Sequence, residues 1–395
     1  MTTLIDAINE FGLDLIKKIM KEDHRENLFI SPLSVAAALA MVLYGAAGNT
    51  AQQLEKVLHF NEITGYGGPK DLPVSGTQCD KPGGPHAQFR ALLSAINQHT
   101  KNYALSIANR LYGSDQYEFH QRYLQCTKEL YNAELERVDF LHATEEARKK
   151  INSWVESQTN GKIKELFPNG SISPSAILVL VNAIYFKGKW QQNFKEEDTR
   201  EAPFYTDETH SKNVQMMFQQ GKFKLAKITN PAMQILELPY DNDELSMIIL
   251  LPDVKGPLCQ LQRELTYAKL KEWTSSANMR QQTVRLFLPK FKLEEKYELI
   301  EALSDLGITD LFTRGKADLS GMSGSPDLVV STVIQKSYIE VTEEGTEAAA
   351  ATGVEIVPTS MPLLLEFRAD HSFLFFIRDN KTGCFPFSGK YFSPQ

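Results

Sequence analysis

The 395-residue sequence is short of several things that would assign it a chemistry quickly. It has four cysteines, at positions 79, 126, 259 and 384, far apart and with no Cys-x-x-Cys pair. That pattern signals neither a disulfide framework nor a zinc site, and it predicts reduced thiols. Its eight histidines are scattered, without pairs at ligand spacing, so no metal or cofactor is expected. There is no His-Glu-x-x-His, P-loop or dinucleotide-binding glycine fingerprint, and GMSGS at 321–325 lacks the second glycine of a nucleophile elbow. An excess of positive charge is missing too. The net charge of −7 argues against attraction to nucleic acid or anionic membranes, and no apolar run approaches a membrane span.

What is present is ordinary globular material, 42% hydrophobic and 23% charged, enough for a substantial core. The opening MTTLIDAINEFGLDLIKKIM reads as an amphipathic helix with no basic leader before an uninterrupted apolar core, which points to a cytoplasmic chain, with the nucleus or release without a cleaved signal peptide as the alternatives. Two Asn-x-Ser/Thr acceptor sequences, at Asn169 and Asn380, have no role in that compartment.

Residues 1–170 read mainly as helices. Ser31-Pro32 opens one in the N-cap and N1 arrangement, Gly45 and Gly48 break it, and Thr50 is expected to cap the next. Residues 61–86, rich in Gly and Pro, read as a flexible interhelical loop with Cys79 exposed in it. From 175 onward, β-branched and aromatic runs such as AILVLVNAIYF, MQILELPY, LSMIILLP and VRLFLPKFKL read as strands, with KYELIEALSDLGI as a helix among them. The class is α+β. No linker separates the two textures, so residues 1–395 are expected to form one domain.

Two features stand out inside this pattern. Asn182 is polar within LVLVNAIYF and needs hydrogen-bond partners there. The stretch EEGTEAAAATGVEIVPTSM, 343–361, has four consecutive alanines without the charged partners of a surface helix. Read with period 2, Thr346, Ala348, Ala350, Thr352, Val354 and Ile356 share one face, and Glu347, Ala349, Ala351, Gly353, Glu355 and Val357 the other. Small side chains of this kind offer little steric obstacle to sliding between two strands.

With NLFISPLSV, GKIKELF, LVNAIYFKGKW, VQMMF, LELPY, LSMIILLP, LPKFKLE, KADLSGMS, EEGTEAAAAT and ADHSFLFFIRDNKTG in this order, the whole chain resembles a serpin, of the ovalbumin-like intracellular clade B branch. The resemblance implies three β-sheets, about nine helices and an exposed reactive-centre loop near 343–367. It implies a monomer that acts on a target protease, without a cofactor, by suicide-substrate trapping and loop insertion. By motif, Gly345, Thr346, Glu347, Ala348, Ala349, Ala350, Ala351 and Thr352 match the hinge, and the scissile bond falls at Thr359-Ser360. Ser31, Ser34, Asn182 and Gln335 match the shutter that gates the sheet, and Trp190 and Glu343 the breach at its upper end.

Thr359 suits an elastase-like pocket, with chymotrypsin-like or cathepsin-type cysteine proteases following if the bond shifts to Met361 or Leu363. The rival reading is a non-inhibitory serpin, cleaved as a substrate and serving in binding, storage or structure. Three departures feed it: Gln335 stands where the family has histidine, Pro358 precedes the scissile residue, and Pro386 interrupts the last strand.

Overall fold

The computed structural model describes residues 2–20, 25–66, 78–81, 83–97, 103–256, 258–344 and 364–394. Among them are nine α-helices: α1 Leu4–Met20, α2 Pro32–Gly45, α3 Gly48–Val57, α4 Pro85–Ile96, α5 Gln121–Tyr131, α6 Thr144–Gln158, α7 Cys259–Glu264, α8 Tyr267–Trp273 and α9 Ile300–Leu306. The strands are β1 Leu28–Ile30, β2 Tyr103–Ser114, β3 Leu135–Val138, β4 Leu178–Gly188, β5 Arg200–Tyr205, β6 Ser211–Thr229, β7 Ala232–Pro239, β8 Leu245–Pro252, β9 Arg280–Pro289, β10 Phe291–Glu298, β11 Val330–Val341, β12 Leu365–Arg368, β13 Phe373–Asp379 and β14 Phe387–Tyr391.

They hydrogen-bond into a five-stranded sheet, β10-β11-β4-β2-β3, and a larger one, β1-β14-β13-β8-β7-β6-β9-β12, with β5 added on β6. The 19-residue β6 is the seam of the larger sheet. It pairs with β5 and β9 from Ser211 to Leu225 and with β7 over Lys224 to Thr229, so the second and third expected sheets share one hydrogen-bonded strand.

The five-stranded sheet is covered on both faces. Alternation along β4 sends Leu178, Leu180, Ile184 and Phe186 into the main core and Val179, Val181, Ala183 and Tyr185 into a second core. That second core is closed by Ala147, Ile151 and Val155 of α6, a helix whose apolar residues recur at helical spacing. The main core holds α2, all of whose residues are buried, which fits the nearly uniform apolarity of PLSVAAALAMVLYG.

Several local expectations change. YALSIANRLYGS, within the half read as helical, is the long strand β2, its apolar residues alternating with polar ones. Lys296 to Glu298 end β10, and the helix after them starts at Ile300. Thr50 lies inside α3, where its hydroxyl accepts from Asp318 N at 2.9 Å, and the N-cap is Ala47.

The thiol expectation fails for two cysteines: Cys79 and Cys126 form a disulfide with Cα atoms 5.2 Å apart. Both are buried, so Cys79 is not exposed, and the bond fastens the end of the 61–86 segment to α5, while α4 already begins at Pro85. Cys259 and Cys384 are free thiols, and burial pushes Cys384 far above the ordinary thiol range.

Candidate functional site

The site is built on the register of three neighbouring strands. Gln335 of β11 sits opposite Asn182 of β4, and Asn182 opposite Asn109 of β2. All three occupy positions whose neighbours two residues away, Val333, Leu180, Ile184, Ile107 and Leu111, enter the main core. A row of three side-chain amides therefore crosses an apolar face, and the N-terminus of α2 lies on it. Amides on such a face need partners, and each finds one there.

Gln335 closes a two-point clamp on Ser31: its Oε1 accepts from Ser31 N at 2.9 Å, and its Nε2 donates to Ser31 O at 3.1 Å. Asn182 Nδ2 donates across the strand pair to Ile334 O at 3.1 Å. The single proton of Ser34 Oγ is shared between Asn109 Oδ1 at 2.6 Å and Asn182 Oδ1 at 3.2 Å. Ser31 caps α2 by accepting from Ser34 N at 3.2 Å, and its hydroxyl donates to Pro386 O at 2.7 Å. Ser31, Ser34, Asn182 and Gln335 are fully buried.

The structure thus brings together the four residues matched to the shutter, adds Asn109 and Ser337, which sequence reasoning missed, and gives Pro386 a place in the network that its sequence reading did not foresee. Asn109 was hidden because β2 was read as helical; alternation within YALSIANRLYGS was the available signal. Ser337, two residues beyond Gln335 on the same face, donates to Phe29 O and ties β1 to β11. Pro386 does not interrupt the last strand: β14 begins after it at Phe387, and its carbonyl is an acceptor in the network.

At the other end of β11 the chemistry is ionic. Trp190, buried and stacked on Tyr240 at 4.4 Å, donates from Nε1 to Thr342 O at 2.8 Å. Glu343 is held by Thr199 Oγ1 at 2.9 Å and by Lys290 Nζ at 2.8 Å. Burial works to raise the Glu343 carboxyl, but the Lys290 and Thr199 contacts outweigh it and leave the group below the ordinary carboxylate value. Lys187 pairs with Glu344 at 2.8 Å, and that carboxyl is lowered in turn.

β11 and β4 pair directly and in parallel from Val330 and Leu178 to Ile339 and Phe186. The hinge positions Gly345, Thr346, Glu347, Ala348, Ala349, Ala350, Ala351 and Thr352 and the Thr359-Ser360 bond lie outside the described residues, as does Pro358. Glu344 lies just past β11, and the exposed Leu364 just before β12.

Elsewhere, Glu10, His59 and Glu62 bring ligand-type atoms within 4.8 Å of one another. The hydrogen bond that His59 gives Asp14 at 2.9 Å outweighs burial and, with the one to Glu62 at 3.2 Å, raises His59 to about 9. In the protonated form that this shift favours, both nitrogens of His59 donate, to Asp14 and Glu62, and neither offers a lone pair to a metal.

The family profile described as Serpin (serine protease inhibitor) matches residues 6–394. The chain belongs to the serpin family. Among curated serpins it is 50% identical to human Serpin B11 over all of both chains, and 45% identical to horse leukocyte elastase inhibitor, again over all of both. It is 45% identical to emu (Dromaius novaehollandiae) ovalbumin over 98% of each chain. A crystal structure of uncleaved ovalbumin matches at a TM-score of 0.88 with 39% identity over all of both chains, and a loop-inserted, cleaved ovalbumin mutant at 0.86 with 39%. The α+β serpin fold and the ovalbumin-like branch expected from the motifs are both supported by these matches.

Proposed function

We propose that this serpin, working as a single 395-residue domain and as a monomer, inhibits serine proteases of elastase-like or chymotrypsin-like specificity by acting as a suicide substrate. The observation that carries the reading is the direct parallel pairing of β11 with β4, with the small-residue hinge sequence starting four residues after the end of β11. A chain that turns back at Gly345 and enters between these strands runs antiparallel to both. One parallel interface is thereby replaced by two antiparallel ones, which are slightly more stable per residue, and a full new ladder is gained.

In this reading the protease attacks the Thr359 carbonyl, an acyl-enzyme forms with Ser360 as the new N-terminus, and residues from the hinge onward enter the sheet before water releases the protease. Trp190, Glu343 and Lys290 are the contacts that yield first, beside the hinge. The amide row of Gln335, Asn182 and Asn109 yields as the opening reaches the middle of the sheet. The hinge residues Thr346 to Thr352 are small enough to pass, apart from Glu347, which by alternation belongs to the face away from Thr346.

The clamp of Gln335 on Ser31 supports a second reading, a serpin that is cleaved without trapping, because inhibition requires strand separation to outrun deacylation. The test is to incubate the protein with pancreatic and neutrophil elastase, chymotrypsin and a cathepsin-type cysteine protease. A covalent complex stable to denaturing electrophoresis, with cleavage after Thr359, is expected from the elastases or chymotrypsin. Complete cleavage without a complex supports the second reading, and a complex with the cysteine protease alone overturns the serine-protease assignment.

A further inference from the structure

Two features that the inhibitor reading leaves unused bear on where the chain matures. One is the buried Cys79–Cys126 disulfide, a kind of bond that forms and persists in oxidising compartments and is rare in the cytosol. The other is the pair of acceptor sequences, Asn169-Gly170-Ser171 and Asn380-Lys381-Thr382, which are equivalent as sequence and opposite in the fold.

Asn169 is the second residue of a turn closed by Ser171 N donating to Pro168 O at 3.1 Å, with Gly170 at φ +71°, a conformation suited to glycine. Pro168 through Ser171 are exposed, and among the described residues the Asn169 side chain has no hydrogen-bond partner. The turn stands on a fixed base. Gly170 N donates to Glu145 Oε1 at 3.3 Å, and Phe167 O accepts from Arg148 Nη1 and Asn152 Nδ2, both at 2.9 Å. An amide on this turn is presented to solvent without disturbing anything beneath it.

Asn380 is the reverse case. Its Nδ2 donates to Asp243 O at 2.9 Å and Ser246 Oγ at 2.8 Å, lies 3.3 Å from Asp243 Oδ1, and its Oδ1 accepts from Arg378 Nε at 3.0 Å. The Thr382 hydroxyl is likewise engaged, donating to Asp379 Oδ2 at 2.7 Å. A sugar on that nitrogen replaces a proton the turn uses and has to leave through the loop that Asp243 and Ser246 occupy.

We infer that the chain matures in an oxidising compartment equipped for oligosaccharide transfer and carries one Asn-linked oligosaccharide, on Asn169 and not on Asn380. In the transfer, Asn169 Nδ2 bonds to the anomeric carbon of a polyprenyl-pyrophosphate-linked oligosaccharide. The bond from that carbon to the pyrophosphate breaks, the pyrophosphate leaves with the electron pair, and one amide proton passes to a base of the transferase. The Cys79 and Cys126 thiols give two protons and two electrons to the disulfide of a thiol oxidase, which becomes a dithiol. The inference is independent of the inhibitor reading, since a substrate serpin matures by the same route.

The test expresses the full chain, with its own N-terminus, in animal cells and examines protein from cells and medium. Samples are digested with peptide N-glycosidase in heavy-oxygen water, and thiols are mass-tagged before and after reduction. Expected is the loss of one oligosaccharide with heavy aspartate at 169, the same loss in N380Q, no loss in N169Q or S171A, and two untagged cysteines until reduction. S171A retains Asn169, and matching melting curves separate a lost acceptor from a folding defect. An unmodified chain with four tagged thiols overturns the inference; so does sugar on Asn380, and so does a disulfide-bonded chain without sugar.

Discussion

The two ends of β11 are held by different chemistry. In the middle of the sheet, Gln335, Asn182 and Asn109 meet the N-terminus of α2 through neutral hydrogen bonds, buried at Gln335 and Asn182 and partly buried at Asn109. At the upper end, Glu343, Lys290, Lys187 and Glu344 hold the strand through ion pairs nearer the surface. Neutral buried bonds do not respond to pH or salt, and leaving one unmade is expensive. Ion pairs close to water are individually weaker, are screened by salt and are lost when a partner titrates. The contrast separates a lock from a latch: the end beside the hinge answers to solution conditions, whereas the centre answers to force applied along the strand.

Removing the lock gives the largest expected effect. Gln335→Ala strands the N–H of Ser31 in the core and takes one of two donors from its carbonyl, which keeps Val35 N at 3.2 Å, so stability at neutral pH falls by about 2–4 kcal/mol, read from the urea midpoint. The contrast is broken if Gln335→Ala melts like the parent.

A smaller change is expected at the latch. Trp190→Phe keeps a ring against Tyr240 but loses the bond to Thr342 O, a loss of about 1–2 kcal/mol. It should accelerate amide exchange at Thr342 to Glu344 and leave Ile334 to Lys336 protected.

The smallest effect is a pH dependence confined to one end. The folded Glu343 carboxyl lies below its ordinary value of 4.5, so its contribution is present above the unfolded value and is lost as pH falls through the folded one. Glu344, lowered by Lys187, changes in the same direction. Exchange protection at the end of β11, corrected for intrinsic rates, should therefore decline below about pH 4.5 while the amide row is unaffected, and Glu343→Gln should flatten much of that decline. A uniform decline along β11 would merge the two regions into one.

Much of this frame is legible in the sequence. Asn182 announces itself as a polar residue in an apolar run, Ser31-Pro32 marks the start of α2, and β4, β7, β8 and β13 follow from their β-branched and aromatic runs. The partners are not legible, because they depend on register. Residues 109, 182 and 335 are neighbours once three strands align, and no local pattern states that alignment. Gln335 reads as a departure from a histidine, yet its amide supplies one donor and one acceptor to a single backbone residue. Pro386 reads as a break in a strand, and its carbonyl serves as an acceptor one residue before β14 starts. The Cys79–Cys126 pair spans 47 positions, and spacing alone does not reveal which cysteines pair.

The amide row also acts as a key for reclosure. β4 carries Leu180 and Ile184 on the same face, two positions to either side of Asn182. If β11 parted from β4 and returned two residues out of step, Gln335 would face one of these and no longer reach Ser31. A slip of one residue would turn Gln335 toward α6 altogether. Strands matched only by apolar contacts have several nearly equivalent alignments, but three amides in line leave one, so under the proposed mechanism a sheet that opened without capturing anything would return to its starting alignment with its next opportunity intact.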